Sequence, residues 1–205
     1  MNNLIQRIVY FQKVLIYRFN VTECIQRIQS KRPILIERPS LDEIKELNES
    51  QEMDLNGYSW SYLSEKIMSG VWQCIGAKNE DKIIGYIFFS TQEMSFAGTK
   101  TVEFILPPNA GYPFKLFVHP DYRNMGLGKQ LEQAADAGIR SSRKSNHIIA
   151  YRATNSTNNI QIHNYKILGG VYIGSVTFIK TKIFDKVLIS YKLRREGLKI
   201  KSIIQ

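Results

Sequence analysis

Cysteine and histidine are scarce in this chain of 205 residues, and the scarcity narrows its chemistry. The two cysteines, Cys24 and Cys74, have no spacing that would seat a metal. In an intracellular setting two reduced thiols are expected rather than one disulfide. The three histidines, His119, His147 and His163, are too scattered to argue for a metal site, so no metal is expected. Long apolar runs are missing too. None approaches the roughly 20 residues that cross a bilayer, so no membrane span is expected. The first 21 residues are apolar only in patches, broken by Arg7, Lys13 and Arg18, which does not make the core of a signal peptide. The protein is therefore expected in the cytoplasm. Repeats and low-complexity linkers are absent. A hydrophobic content of 43% over this length suits one domain with a real core.

Acidic residues are the minority, 18 against 28 basic, which gives a net charge of +10. Much of the excess lies at the end. Ile179 to Gln205 holds eight Lys and Arg against Asp185 and Glu196, a local charge of +6. A solvated strand pair and a basic tail account for this; attraction to an acidic partner is the alternative. No nucleic-acid-binding motif accompanies the charge, so nucleic acid is not an expected partner. A positive surface also argues mildly against polycationic substrates.

Two common phosphate motifs are absent as well. A P-loop needs Lys followed by Ser or Thr, and Lys129 is followed by Gln130. A dinucleotide fingerprint needs three glycines, and Arg123 stands where the first would be. What is present is Arg123-Asn124-Met125-Gly126-Leu127-Gly128, between an apolar run, Phe114 to Val118, and a segment of helical pattern. In that segment Leu127, Leu131, Ala134, Ala135, Gly138 and Ile139 share one face. Strand, glycine turn and helix together present backbone N–H groups to an anion. Gly126 and Gly128 keep side chains out of the way, and Arg123 adds a positive charge. A plain strand-to-helix turn is the other reading of these residues taken alone.

Along the rest of the chain, residues 3–12 suit a short helix and Lys13 to Val21 a strand. Pro33 to Glu37 reads as a first core strand. Ser40-Leu-Asp-Glu43 is a capping box that opens a helix, and Ser59 to Met68 is a second helix with Gly70 past its end. Val71–Ala77 and Ile83–Ser90 form a hairpin. Thr91 to Tyr112 is irregular, with Thr101 to Leu106 as an extra strand. After the glycine turn and its helix come a strand at His147–Tyr151, a helix at Asn158–Leu168 closed by Gly169-Gly170, and two strands at Val171–Ile179 and Lys186–Leu193. This is an α+β chain with a mixed, mainly antiparallel sheet.

Val118-His-Pro120 followed by Arg123-x-x-Gly126-x-Gly128 resembles the acetyl-CoA-binding motif of the GNAT acyltransferases, the Gcn5-related N-acetyltransferases. The order of elements resembles that family's fold, with its sheet splayed between the fourth and fifth strands and flanked by helices. The resemblance covers residues 33–193, with an N-terminal extension at 1–32 and a basic tail at 194–205. It implies an N-acetyltransferase moving acetyl from acetyl-CoA to a small-molecule or peptide amine by direct attack in a ternary complex. It implies that Leu116, Phe117 and Val118 meet the pantetheine arm. Arg123, Asn124, Met125, Gly126, Leu127, Gly128 and Lys129 would meet the pyrophosphate.

A second stretch, Asn158-Asn-Ile-Gln161-Ile-His-Asn-Tyr165-Lys-Ile-Leu-Gly169-Gly170, is similar to the family's segment bearing a catalytic tyrosine. Asn158 is seven before Tyr165 and Gly169 is four after it. The resemblance implies cofactor contact by Asn158 and makes Tyr165 the acid that protonates the CoA thiolate. Gln161 stands where the family has alanine, and Gly170 where it has an aromatic. Some members use a glutamate near the start of the fourth strand as base. Tyr112 stands there instead, so the candidates are Glu103, His119, His163 or a route through water. Longer acyl chains, delivered by acyl-CoA or an acyl carrier protein, and a non-catalytic CoA-binding module are the alternatives. The acceptor is expected to depend on Ser59–Met68, on 91–112 and on the turn near Lys180–Asp185. The extra N-terminal strand offers an edge for a homodimer.

Overall fold

The computed structural model describes residues 9–21, 34–49, 58–96, 103–143, 147–181, 187–193 and 198–202. In chain order these form β1 (Val9–Asn20), β2 (Leu35–Glu37), α1 (Leu41–Glu49), α2 (Trp60–Met68), β3 (Trp72–Asn79) and β4 (Lys82–Ser90). Then follow β5 (Glu93–Ser95), β6 (Glu103–Ile105), β7 (Ala110–Val118), α3 (Leu127–Ser141) and β8 (Ile149–Asn155). The last are α4 (Asn159–Ile167), β9 (Val171–Thr181), β10 (Val187–Leu193) and β11 (Lys199–Ser202). Eight strands make one sheet in the order β10-β9-β1-β8-β7-β4-β3-β2, and β11-β6-β5 make a second. Every pairing is antiparallel except that of β7 with β8.

Local chemistry sets the boundaries. Ser40 and Glu43 form the capping box: the Ser40 N–H donates to Glu43 Oε2 at 2.8 Å and the Glu43 N–H to Ser40 Oγ at 3.2 Å. The α2 helix is capped by Ser59 and leaves through Gly70 at φ +70°. The β3–β4 hairpin turns on Glu80 and Asp81, with Glu80 at φ 55°.

The apolar stripe of α3 supplies Leu127, Leu131, Ala135 and Ile139 to a core with Ile84, Ile87 and Phe89. Each of the Leu, Ile and Phe side chains, fully buried, contributes about 1.5–3 kcal/mol. The helix sits so close that a Cβ on Gly138 would stand 2.6 Å from the Phe89 ring. On another core Ile44, Leu63, Trp72, Tyr86 and Phe88 pack together beneath α1 and α2.

Several expectations change here. Residues 1–8 lie outside the described residues, and Val9 to Gln12 extend β1 rather than forming a helix. β1 is no free sheet edge for a homodimer along most of its length: β9 pairs with Val9 to Arg18 on one side and β8 with Val14 to Asn20 on the other. Of the run at Pro33–Glu37, Leu35–Glu37 forms β2, an edge strand rather than a core strand, because among the described residues β2 pairs only with β3, and Leu35 is exposed. Residues 91–112, expected to be largely irregular, hold β5, β6 and the start of β7. The basic tail is not wholly a tail, since Lys199-Ile-Lys-Ser202 pairs with β6 as β11.

Candidate functional site

The main sheet parts between β7 and β8. The two strands register only at Ala110↔Ile149 and Gly111↔Ala150, and no ladder pair joins them from Tyr112 and Tyr151 onward. A bulge in β7 accompanies the parting. Tyr86 faces Phe117 and Phe88 faces Phe114, so two β7 residues, Lys115 and Leu116, oppose one on β4. Lys115 takes φ 55°. A bulge of this kind bends its strand and re-aims the backbone beside it, here the Leu116-Phe117-Val118 stretch expected to meet the pantetheine arm.

The glycine turn follows directly. Pro120–Tyr122 make one 3-10 turn, and the Arg123 N–H closes it on Pro120 O at 3.1 Å. The Arg123 side chain donates from Nε to Val118 O at 3.0 Å, which ties the turn to the end of β7. The peptide N–H of Arg123 is therefore already used, and the cradle narrows to Asn124 through Lys129. Asn124 takes φ 63° and Gly126 φ 79°, a left-handed conformation that suits glycine. Gly126 caps α3 without any side-chain bond to the first turn. The first four N–H groups of a helix have no intrahelical partner, and the helix dipole adds positive potential there. Gly128 is less constrained from within, since a Cβ there would make ordinary contact with Leu116 at 3.6 Å and Val118 at 3.7 Å. These features suit an anion at the start of α3.

Tyr165 lies on the inner face of α4 and is 6% exposed. Tyr17 packs edge-on at 5.4 Å and Phe19 at 5.3 Å. Burial raises its hydroxyl above the ordinary tyrosine range, while Gln161 and the Arg152 guanidinium pull it back, so it is protonated at neutral pH. Asn158 is the N-cap of α4, accepting the Gln161 N–H at 3.0 Å. Gly169 has φ 78°. Gly170 has a steric reason to stand where the family pattern has an aromatic: a Cβ there would lie 2.5 Å from Phe19 Cζ and 2.7 Å from Tyr165 O. The space beside Gly170 is taken by the ring of Phe19, arriving from β1.

The base candidates separate. Glu103 does not lie on either parted strand. It sits on β6, 5% exposed, accepting the Tyr62 hydroxyl at 2.7 Å and pairing with Lys66 Nζ at 3.1 Å. Lys66 also pairs with Glu93. His119 caps the 3-10 turn, its Nδ1 accepting from the Asp121 N–H at 3.4 Å. His163 is exposed on α4, two residues from the buried Tyr165 and so on a different face. Residues 97–102 and 182–186, in segments expected to govern the acceptor, lie outside the described residues.

Two groups escaped the sequence reading. Arg152 on β8 is 8% exposed and binds Glu132 at 3.1 Å and Asp136 at 2.7 Å, both on α3, with Phe19 beneath its guanidinium at 5.3 Å. Only the strand register brings Arg152 opposite Tyr17 and under α3, so no local signal announces it. The second is an aromatic wall of Tyr58, Tyr62, Trp72, Phe114 and Tyr112. The i, i+4 spacing of Tyr58 and Tyr62 was its one local sign. Among the described residues no cluster of three or more His, Cys, Asp or Glu could hold a metal, and no helix is long and apolar enough to cross a membrane.

The sequence profile described as the acetyltransferase (GNAT) family matches residues 41–169, more than half of the chain. The chain belongs to this family. Solved structures share the GNAT fold at low identity. One is a putative acetyltransferase of the GNAT family from Novosphingobium aromaticivorans, 15% identical, with a TM-score of 0.52 over 83% of this chain and 64% of that one. Another is a functionally unknown conserved protein from Staphylococcus epidermidis, 14% identical, with a TM-score of 0.52 over 87% and 66%. A third is a GCN5-related glucosamine N-acetyltransferase region of a fungal multi-domain β-N-acetylglucosaminidase, 18% identical, with a TM-score of 0.54 over 81% and 20%. This GNAT chain thus spans just under two thirds of the length of the first two. No curated protein matches it.

Proposed function

We propose that this protein transfers an acetyl group from acetyl-CoA to a primary amine by direct attack in a ternary complex. The observation that carries the reading is the parting of β7 from β8 beside the uncapped start of α3, with a buried, protonated tyrosine on α4 next to β8. In this reading the amides from Asn124 to Lys129 and the Arg123 charge hold the pyrophosphate, and Asn158 lies along the same cofactor. The backbone of Leu116, Phe117 and Val118 lines the pantetheine path, and one of its N–H groups polarises the thioester carbonyl. Holding the amine against that carbonyl supplies much of the rate. The amine nitrogen bonds to the carbonyl carbon, the carbon–sulfur bond breaks, and the thiolate takes the Tyr165 proton. The ammonium proton leaves through water or toward Glu103, which lies off both parted strands and is already engaged by Tyr62 and Lys66.

Tyr165→Phe tests the central role. Turnover should fall by about 10²-fold, in the range general acids supply, while the acetyl-CoA Kd by calorimetry stays within about twofold. Unchanged turnover with a competent amine would remove Tyr165 from the mechanism.

A further inference from the structure

Among the described residues, two buried hydrogen-bond donors on the aromatic wall have no partner: the Tyr58 hydroxyl and the Trp72 indole Nε1–H. Tyr58 is 8% exposed and Trp72 1%. Their rings touch edge to face, with centroids 5.1 Å apart at 80°. Native interiors rarely leave such groups unpaired, because an unmade buried hydrogen bond keeps its full desolvation cost. Two on touching rings point to a ligand that brings acceptor atoms with it.

This corner adjoins the proposed reacting centre. Trp72 packs on Phe114 at 4.9 Å, and Phe114 stacks on Tyr112 at 5.1 Å, where β7 begins to part from β8. Tyr112 is held well above its ordinary pKa by burial first, then by Tyr58 and by Tyr165, so its hydroxyl lies within electrostatic reach of both. Trp72 thus lies one ring, Phe114, away from Tyr112.

We propose that the Tyr58–Trp72 corner is the acceptor subsite, and that it selects an amine also carrying a hydroxyl or carbonyl oxygen. This rests on the acetyl-transfer reading above. An indole N–H can only donate, so its complement must be an acceptor oxygen, while the tyrosine hydroxyl can give or take. The Tyr58–Tyr62 stack, 5.4 Å between centroids and 6° from parallel, walls the subsite with apolar faces. In such surroundings a missing oxygen leaves the donors unpaired, which discriminates more strongly than lost apolar contact. Both donors are shielded from water in the free protein, so contact follows rotation of the Tyr58 ring off Tyr62.

The test uses the full chain, Tyr58→Phe and Trp72→Phe. Without ligand, Tyr58→Phe removes a hydroxyl that bonds to nothing, so its Tm should equal or exceed that of the parent. A fall of several degrees would mean a structural partner and overturn the inference. At saturating acetyl-CoA, ethanolamine should be acetylated faster than propylamine, and 2-aminocyclohexanol faster than cyclohexylamine. Each variant should raise KM for the oxygen-bearing amine about tenfold, the worth of one hydrogen bond, with KM for acetyl-CoA unmoved. Equal rates within the pairs, or no turnover of either oxygen-bearing amine, overturn the acceptor assignment alone. Failure of the parent protein to bind acetyl-CoA by calorimetry overturns the acetyl-transfer reading and this inference together.

Discussion

Phe19 is the most informative side chain to perturb, because it lies outside the family-matched residues yet holds the proposed acid in place. It is 8% exposed. Its ring meets Tyr165 at 5.3 Å and 76°, supports the Arg152 guanidinium at 5.3 Å, and fills the space left by Gly170. Truncation to alanine removes all three contacts. A buried Phe→Ala change costs about 3–5 kcal/mol, and the residual exposure of Phe19 favours the lower end, about 3 kcal/mol. In a chain of this length that lowers Tm by roughly 6–12 °C. Tyr165 keeps Tyr17 on one side and loses its other wall, and displacement on the order of 1 Å from reacting geometry costs about 10²-fold. We therefore expect kcat to fall roughly ten- to a hundredfold. KM for acetyl-CoA should move little, because the Arg123–Lys129 turn is untouched. Phe19→Leu, which keeps most of the volume, should recover most of the stability and part of the rate. Thermal denaturation and steady-state kinetics on the three proteins decide the matter. A Phe19→Ala protein whose Tm falls by less than 3 °C, or whose kcat is unchanged, would refute the supporting role.

Two further outcomes follow from the turn and from the Arg152 cluster. Gly126→Ala places a Cβ at φ 79°, which costs about 1–2 kcal/mol of stability and sets a methyl at the cradle; acetyl-CoA Kd should rise at least about tenfold by calorimetry, and an unchanged Kd would separate the turn from cofactor binding. Asp136 has its pKa raised from 3.8 to about 6, chiefly by burial, with one carboxylate oxygen unpartnered. The folded protein thus binds its proton more tightly than the unfolded chain does, and this group's contribution to stability falls as pH rises from about 4 to 6, by up to roughly 3 kcal/mol. Urea denaturation should show that decline in the parent and its absence in Asp136→Asn; parallel pH curves for the two would contradict the assignment.

Signals within a few residues of one another were legible in the sequence. The Ser40/Glu43 box, the Asn158 cap and the left-handed Gly126 each satisfy a local backbone need, so residue type and spacing suffice to place them. Pairing across the sheet was not legible. The pattern of β1 announces a strand but says nothing about which strands flank it, and it enters between β8 and β9 rather than adding an edge. Glu103 was noticed as a carboxylate, yet its engagement with Lys66 and Tyr62 depends on α2 lying over the second sheet. Tyr58 and Trp72 are ordinary core residues by composition, and only their unpartnered polar atoms set them apart.

Gly170 shows how these two kinds of legibility interact. Read along the chain, it looks like the loss of an aromatic from a catalytic segment and so like evidence for lost activity. Read across the sheet, it is one half of a complementary pair, since Phe19 can approach Tyr165 only because residue 170 has no Cβ. The substitution and the N-terminal strand therefore imply each other. Residues 41–169 alone would leave the β8 edge without its β1 partner and Tyr165 without both of its aromatic walls. The surroundings of the proposed acid are thus set from β1, outside the family-matched residues.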